Sequence, residues 1–259
     1  MTPELIRSKD NALIKSIRVL ARDGGAYKRS GQIWVEGDHL IRAAVSRGWQ
    51  PQVVVWTAQA LAHWPEGLQW PGRHVEVDAQ TMKGLSQLES PASMGALFAW
   101  PKHDAMLPGL PSVVLDRLQD PGNVGSILRT ASAMGFKQVV ALRGTVGMWS
   151  PKVVRAGMGA HFNLNLVEGV EAAALPDLDV PLIATHVHEG DWLHLAPIPM
   201  PCAWLFGHEG QGVSSEALAV ANLRIRIHQA GGEESLNVAA AAAICLHASA
   251  SVSQRSGYN

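Results

Sequence analysis

Apolar positions recur at two spacings in the first hundred or so residues. Residues 11–22 (NALIKSIRVLAR) carry Leu13, Ile14, Ile17 and Leu20 at helical spacing with basic residues between them, and Asp23-Gly24-Gly25 stops the run. A short apolar run at 33–35, a helical pattern over 38–47, strand patterns at 53–56 and 74–77, and a closing apolar run at 96–100 follow. Strand and helix patterns alternate, so residues 1–100 read as a small α/β domain.

Residues 101–112 (PKHDAMLPGLPS) hold three prolines and a glycine, lack periodicity and read as a linker. Beyond them, over 113–259, near-continuous apolar runs lie at 113–116, 138–142, 182–187, 202–206 and 223–227. Such runs mark strands of a parallel sheet covered on both faces. Helical patterns lie between and after them at 123–134, 151–158, 214–221 and 235–249, and the tail 251–259 is expected to fray.

Composition narrows the class without naming a chemistry. The 259 residues are 47% hydrophobic and 17% charged, enough for a substantial core. Nothing resembles a signal peptide, and no apolar run reaches the ~18 residues of a membrane span. The two cysteines, Cys202 and Cys245, sit in apolar surroundings and read as buried free thiols, which points to the cytoplasm. Nine tryptophans are scattered singly and read mostly as core or interface. Net charge is −1, yet residues 1–30 hold seven Lys and Arg against three acids, leaving −5 for the remainder. A basic end on an acidic protein fits contact with a polyanion; an ordinary solvated helix fits it equally well.

Three stretches place glycine or short polar residues where an apolar run ends, the place where α/β proteins build their sites. Asp120-Pro121-Gly122-Asn123 is a turn sequence in which Asn123 can cap the next helix, and Arg129 follows within that helix among small and apolar neighbours. A partly buried arginine there calls for an anion, either a structural carboxylate or a phosphate or alkoxide. Gly207-His208-Glu209-Gly210-Gln211-Gly212 follows a strand, has Glu209 as its only charge, and has glycines that let backbone pass close to a flat ligand. It is neither the dinucleotide fingerprint nor a P-loop, which removes a Rossmann dehydrogenase from consideration. Ser235-Leu236-Asn237-Val238 opens a helix with five alanines, with Ser235 as its candidate cap and Gly231-Gly232 as a flexible approach. His186, His188 and His194 lack the further ligands of a recognisable metal set, so no metal is expected.

In order and spacing these stretches resemble the motifs of the SpoU/TrmH family of RNA ribose 2′-O-methyltransferases. Asn123-x-Gly125-x-x-x-Arg129 matches the first, Gly207-x-Glu209-Gly210-x-Gly212 the second, and Ser235-Leu236-Asn237-Val238 with its alanine helix the third. The segment 155–161 (RAGMGAH) is similar to a secondary family segment, with Gly157 where serine is common. Ile227-His228-Gln229 stands where the family often has Ile-Pro-Met. The resemblance covers roughly residues 113–250.

That resemblance implies a C-terminal parallel-sheet SPOUT domain tied in a trefoil knot, preceded by a smaller ribosomal-protein-L30e-like α/β domain that binds RNA. It implies S-adenosylmethionine as cofactor, held by Gly207, Ile227 and Leu236, and a homodimer with the active site near the subunit interface. Asn123, Arg129, Glu209, Ser235 and Asn237 would form the catalytic and substrate-orienting set. Ribosomal RNA is the expected substrate ahead of transfer RNA. A knotted RNA-binding protein without catalysis is the alternative.

Overall fold

The computed structural model describes residues 2–63, 70–102, 105–231 and 235–256, with side chains through Ser251. Gly232, part of the linker 101–112 and the end of the tail lie outside the described residues. The chain divides into two units, Met1–Lys102 with Trp149–Phe162, and His103–Met148 with Asn163–Asn259.

The first unit comprises β1 (Glu4–Leu5), α1 (Ala12–Arg22), α2 (Ala26–Ser30), β2 (Gln32–Glu36), α3 (Asp38–Val45), β3 (Val53–Thr57), α4 (Ala58–Ala62), β4 (Arg73–Val77), α5 (Ala79–Gly84) and β5 (Met94–Ala99). Asn11 Oδ1 accepts from the Leu13 amide at 2.9 Å and caps α1, which buries Ile14, Ile17 and Leu20 and leaves its basic residues outward. The strands form a mixed sheet in the order β1-β4-β3-β5-β2. β3, Val-Val-Val-Trp-Thr, is buried throughout because it lies between β4 and β5. Gly95 in β5 is required by its neighbour: a Cβ there would sit 2.2 Å from Cζ2 of Trp34.

Residues 149–162, grouped by sequence pattern with the C-terminal domain, lie in this first unit. Aromatic packing accounts for their place, since Trp49 meets Phe162 at 5.1 Å and Trp149 at 5.6 Å between ring centroids.

The second unit holds β6 (Ser112–Asp116), α6 (Pro121–Ala133), β7 (Gln138–Leu142), β8 (Asn165–Val170), β9 (Leu182–Thr185), β10 (Asp191–Trp192), β11 (Ala203–Gly207), α8 (Ser215–Ala219), β12 (Leu223–Arg226) and α9 (Val238–Ser256), α7 (Pro151–Ala156) falling in the first unit. Its seven strands are parallel, in the order β10-β12-β9-β11-β6-β7-β8. The expected α/β class and parallel sheet are therefore present. The interior strands β6, β7 and β11 are buried at every residue, which is why they read as unbroken apolar runs. Between β11 and α9, Trp204 donates to Ser249 Oγ at 2.8 Å. Cys202 and Cys245 are free and buried, and burial pushes both thiols up to about 12.

Two capping expectations need correction. α6 is capped by Asp120, whose Oδ1 accepts from the Asn123 amide at 2.8 Å, so Asn123 sits inside the first turn. α9 starts at Val238, not at residue 235, and continues past residue 249 to Ser256. Its cap is Asn237, whose Oδ1 accepts from the amides of Ala239 at 2.9 Å and Ala240 at 3.2 Å. Proline at the first position of α6, directly after the Asp120 cap, presets the helical φ.

Candidate active site

The loop after β11 folds back on its own start. The Gly212 amide donates to the His208 carbonyl at 2.8 Å, and a Cβ on Gly207 would lie 2.1 Å from the Gly212 carbonyl carbon. Gly207 is therefore demanded by the loop's own backbone, and Gly212 by its φ of 70°. His208 Nδ1 accepts from the Gly210 amide at 3.0 Å and tightens the turn.

This loop delivers Glu209 to the N-terminus of α6. Its carboxylate accepts from the amides of Gln119 and Asp120 and from Asn123 Nδ2, each at 3.2 Å. Asn123 Oδ1 in turn accepts from Asn237 Nδ2 at 3.0 Å. Partial burial works against the charge of Glu209, but its own amide, Asn123 and the amides of Gln119 and Asp120 outweigh it and hold the carboxyl below its ordinary range. Three sequence candidates thus form one hydrogen-bonded chain, Glu209–Asn123–Asn237. Each asparagine Nδ2 keeps a second N–H for a ligand.

Beside the chain lies a cavity of about 790 Å³. Gly207, Ile227 and Leu236 all line it, as do Glu209, Ser235 and Asn237. Ser235 is exposed there, and no hydrogen bond of its side chain is found among the described residues. Asn123 is not in the lining and joins it through Glu209 and Asn237, whereas Arg129 stands apart. Arg129 is exposed on α6, opposite the buried Val124, Ile127, Leu128 and Ala131, and lies outside the cavity lining. The expectation of a partly buried arginine is overturned, and with it the need for an anionic partner within the subunit.

Several residues here escaped the motif reading. His186 lines the cavity, and its Nδ1 accepts from the amides of His188 and Glu189 at 3.2 and 2.9 Å, fixing the turn that follows β9. Asp116 and Arg117, at the end of β6, hold the far side of the 207–214 loop. Their signal, a buried acid followed by a turn residue, is too common to single out in sequence. Among the described residues no group of three or more His, Cys, Asp and Glu is placed to hold a metal ion.

A family model described as the SpoU rRNA Methylase family matches residues 111–247. The chain belongs to that family. A second model, the MRM3-like substrate binding domain, matches residues 11–96 of this SpoU methylase. An uncharacterized tRNA/rRNA methyltransferase of Synechocystis sp. is 31% identical over 260 residues, spanning 93% of this chain and 92% of that one. The 23S rRNA (guanosine(2553)-2′-O)-methyltransferase RlmP of Bacillus subtilis is 28% identical over 217 residues, 82% of this chain and 86% of that one. Human mitochondrial rRNA methyltransferase 3 is 30% identical over 192 residues, 70% of this chain and 45% of that longer protein. The solved structure of an AdoMet-bound rRNA methyltransferase from Sinorhizobium meliloti superposes with a TM-score of 0.82 at 26% identity, covering 95% of this chain and 96% of that one.

The SpoU methylase is thus an RNA methyltransferase that uses S-adenosylmethionine. Its cavity suits that cofactor. The volume lies within the ~300–1,000 Å³ usual for small-molecule sites. Among the described residues its lining includes no lysine or arginine and carries the carboxylate of Glu209, which suits a sulfonium cation. Ile225, Ile227, Leu236 and Val238 offer apolar contact, and the loop 207–213 offers backbone groups for a planar base.

Proposed function

We propose that this chain methylates the ribose 2′-hydroxyl of RNA, ribosomal RNA in preference to transfer RNA. The observation that carries the reading is the Glu209–Asn123–Asn237 chain at the cavity. Bound S-adenosylmethionine supplies an electrophilic methyl group with a good leaving group. What the protein must add is an aligned hydroxyl and stabilisation of the charge that develops on its oxygen.

Glu209 fixes Asn123, and Asn123 with the α9 cap fixes Asn237, so the Asn237 amide is held at the cavity without reorganising. Ser235 adds a free hydroxyl for ribose or phosphate. Arg129 is a permanent cation and a poor proton acceptor, so its role in this reading is to stabilise the developing alkoxide. Gly122, Ser126, Arg129 and Ala133 form an exposed stripe on α6, and Ala240, Ile244 and His247 one on α9, which packs beside it. Ile244 is 41% exposed. Pairing of this face with a second copy makes the homodimer and brings Arg129 toward the partner's cavity.

The ribosomal preference rests on the substrate-binding match over 11–96 and on the rRNA named for RlmP. The knot belongs to the same reading. It is supported by β11 lying between β6 and β9, so that later chain enters between earlier strands, with residues 235–238 returning beside the loop that follows. No helix of the described residues is long and apolar enough to cross a membrane; with two buried free thiols, a cytoplasmic location fits.

Radiolabelled methyl transfer to purified rRNA and tRNA tests this directly. The expected product is label in rRNA that blocks alkaline cleavage at one nucleotide, since a 2′-O-methyl removes the attacking hydroxyl. Arg129→Lys should keep the melting temperature and lose ~10²–10³ in turnover. Label on a base overturns the ribose assignment, and no transfer by folded, cofactor-binding protein favours the non-catalytic alternative.

A further inference from the structure

We propose that Asp116 and Arg117 are positioning residues that clamp the 207–214 loop into its cofactor-binding shape, so that Arg117 sets cofactor affinity from outside the cavity. The inference rests on the reading of the 790 Å³ cavity as the S-adenosylmethionine pocket. β6 pairs with β11 so that Asp116 lies opposite Gly207, the residue at which the loop begins. Asp116 also grips the loop's end, its Oδ2 accepting from the Ser214 amide at 2.6 Å. Asp116 is 1% exposed, a location where a carboxylate persists only with full hydrogen bonding.

Arg117 completes that bonding and reaches further. Its Nε donates to Asp116 Oδ1 at 3.0 Å, its Nη1 to Gln211 Oε1 at 3.0 Å and its Nη2 to the Gly212 carbonyl at 3.4 Å. Gln211 and Gly212 line the cavity; Arg117 does not. One planar fork therefore joins the buried acid to the loop tip, which a single-point cation does less well.

The backbone is held to the same purpose. Arg117 has φ of 60°, a conformation that L side chains rarely adopt. Its amide donates to Thr145 Oγ1 at 2.9 Å, and that hydroxyl donates to the Leu115 carbonyl at 2.9 Å. Gly144 leaves room for the side chain, since a Cβ there would lie 3.3 Å from Arg117 Cγ. Glycine would take this φ freely. Strain kept at a non-glycine residue beside a ligand loop points to work for its side chain.

Three variants separate the guanidinium from the backbone: Arg117→Ala, Arg117→Gly and Arg117→Lys. Calorimetry with S-adenosylhomocysteine measures affinity, and hydrogen exchange of amides 209–214 without cofactor measures the loop itself. Arg117→Ala and Arg117→Gly should both bind about tenfold more weakly, the size of one lost charge-assisted hydrogen bond. Exchange should quicken at 209–214 and not across the sheet, with Arg117→Lys recovering part of both effects. The Michaelis constant for the cofactor should rise while turnover at saturation holds. Wild-type affinity and loop exchange in both Arg117→Ala and Arg117→Gly would overturn the clamp. Failure of the unaltered protein to bind S-adenosylhomocysteine would overturn the pocket reading instead, leaving loop exchange to judge the clamp.

Discussion

Asn123, Glu209 and Asn237 are separated by up to 114 positions yet form one hydrogen-bonded chain. Asn123 and Glu209 stand out in the sequence because they lie beside glycines, and Asn237 because it lies in the turn before the alanine-rich helix. Their partners were not legible, since which side chain caps a helix depends on neighbours competing for the same amides. Asp120 takes the α6 cap, and that releases the Asn123 side chain to join Glu209 and Asn237. Arg129 was misjudged for a different reason: apolar residues adjacent in sequence occupy the opposite face of the helix. Glu209 yields a pH prediction. Its folded-state value is depressed, so the stability it adds is present above the ordinary glutamate value of ~4.3 and is lost as pH falls through the lower folded value. The difference in melting temperature between wild type and Glu209→Gln should hold from about pH 7 to 5 and close below about pH 4. The group is largely exposed, so a small difference is expected. A gap that widens in acid contradicts the assigned donors.

At the scale of elements, the central parallel strands were legible because burial on both faces leaves them uniformly apolar. The edge strands were missed. β8 buries only Leu166 and Val167 and carries Asn165, Glu168 and Gly169 beside them, and β10 has only two residues, so neither shows a continuous run. Short α2, α4 and α5, of five or six residues, lie below the length at which periodicity can speak. The loop after β11 was legible as glycine-rich, but with the wrong reason for its first glycine. Gly207 makes room for the loop's own return, and ligand approach is secondary. Gly207→Val should therefore abolish measurable S-adenosylhomocysteine binding in calorimetry by forcing Gly212 and Val213 away. The same variant should lower the melting temperature, since a clash with backbone cannot be relieved by a rotamer change. An unaltered melting temperature with weakened binding would restore the simpler view that the added side chain only crowds the ligand.

At the scale of the whole molecule, the two-part α/β organisation was legible from the proline-rich break at 101–112, while the placement of 149–162 in the first unit was not. Trp149 and Phe162 find Trp49 across a hundred residues or more, and single aromatics in a sequence do not announce their partners. Charge distribution is different, because it survives folding. α1 keeps Lys15 and Arg22 exposed and Arg18 half-buried, on the side away from Ile14, Ile17 and Leu20. Part of the basic excess is met locally: Lys15 pairs with Asp10 at 3.2 Å, and Arg29 pairs with Asp23. These pairs are solvent-exposed and weak, so a phosphate backbone competes with them easily. Changing Lys15, Arg18 and Arg22 together to glutamate should weaken binding to an rRNA fragment. It should also shallow the slope of log affinity against log salt by about two units, fewer than three because Lys15 is already partly neutralised. Binding of S-adenosylhomocysteine should not change, because the described lining of that cavity comes from residues 185–241. An unchanged salt slope would make the basic end of this protein a solvated helix face and move the RNA contact elsewhere.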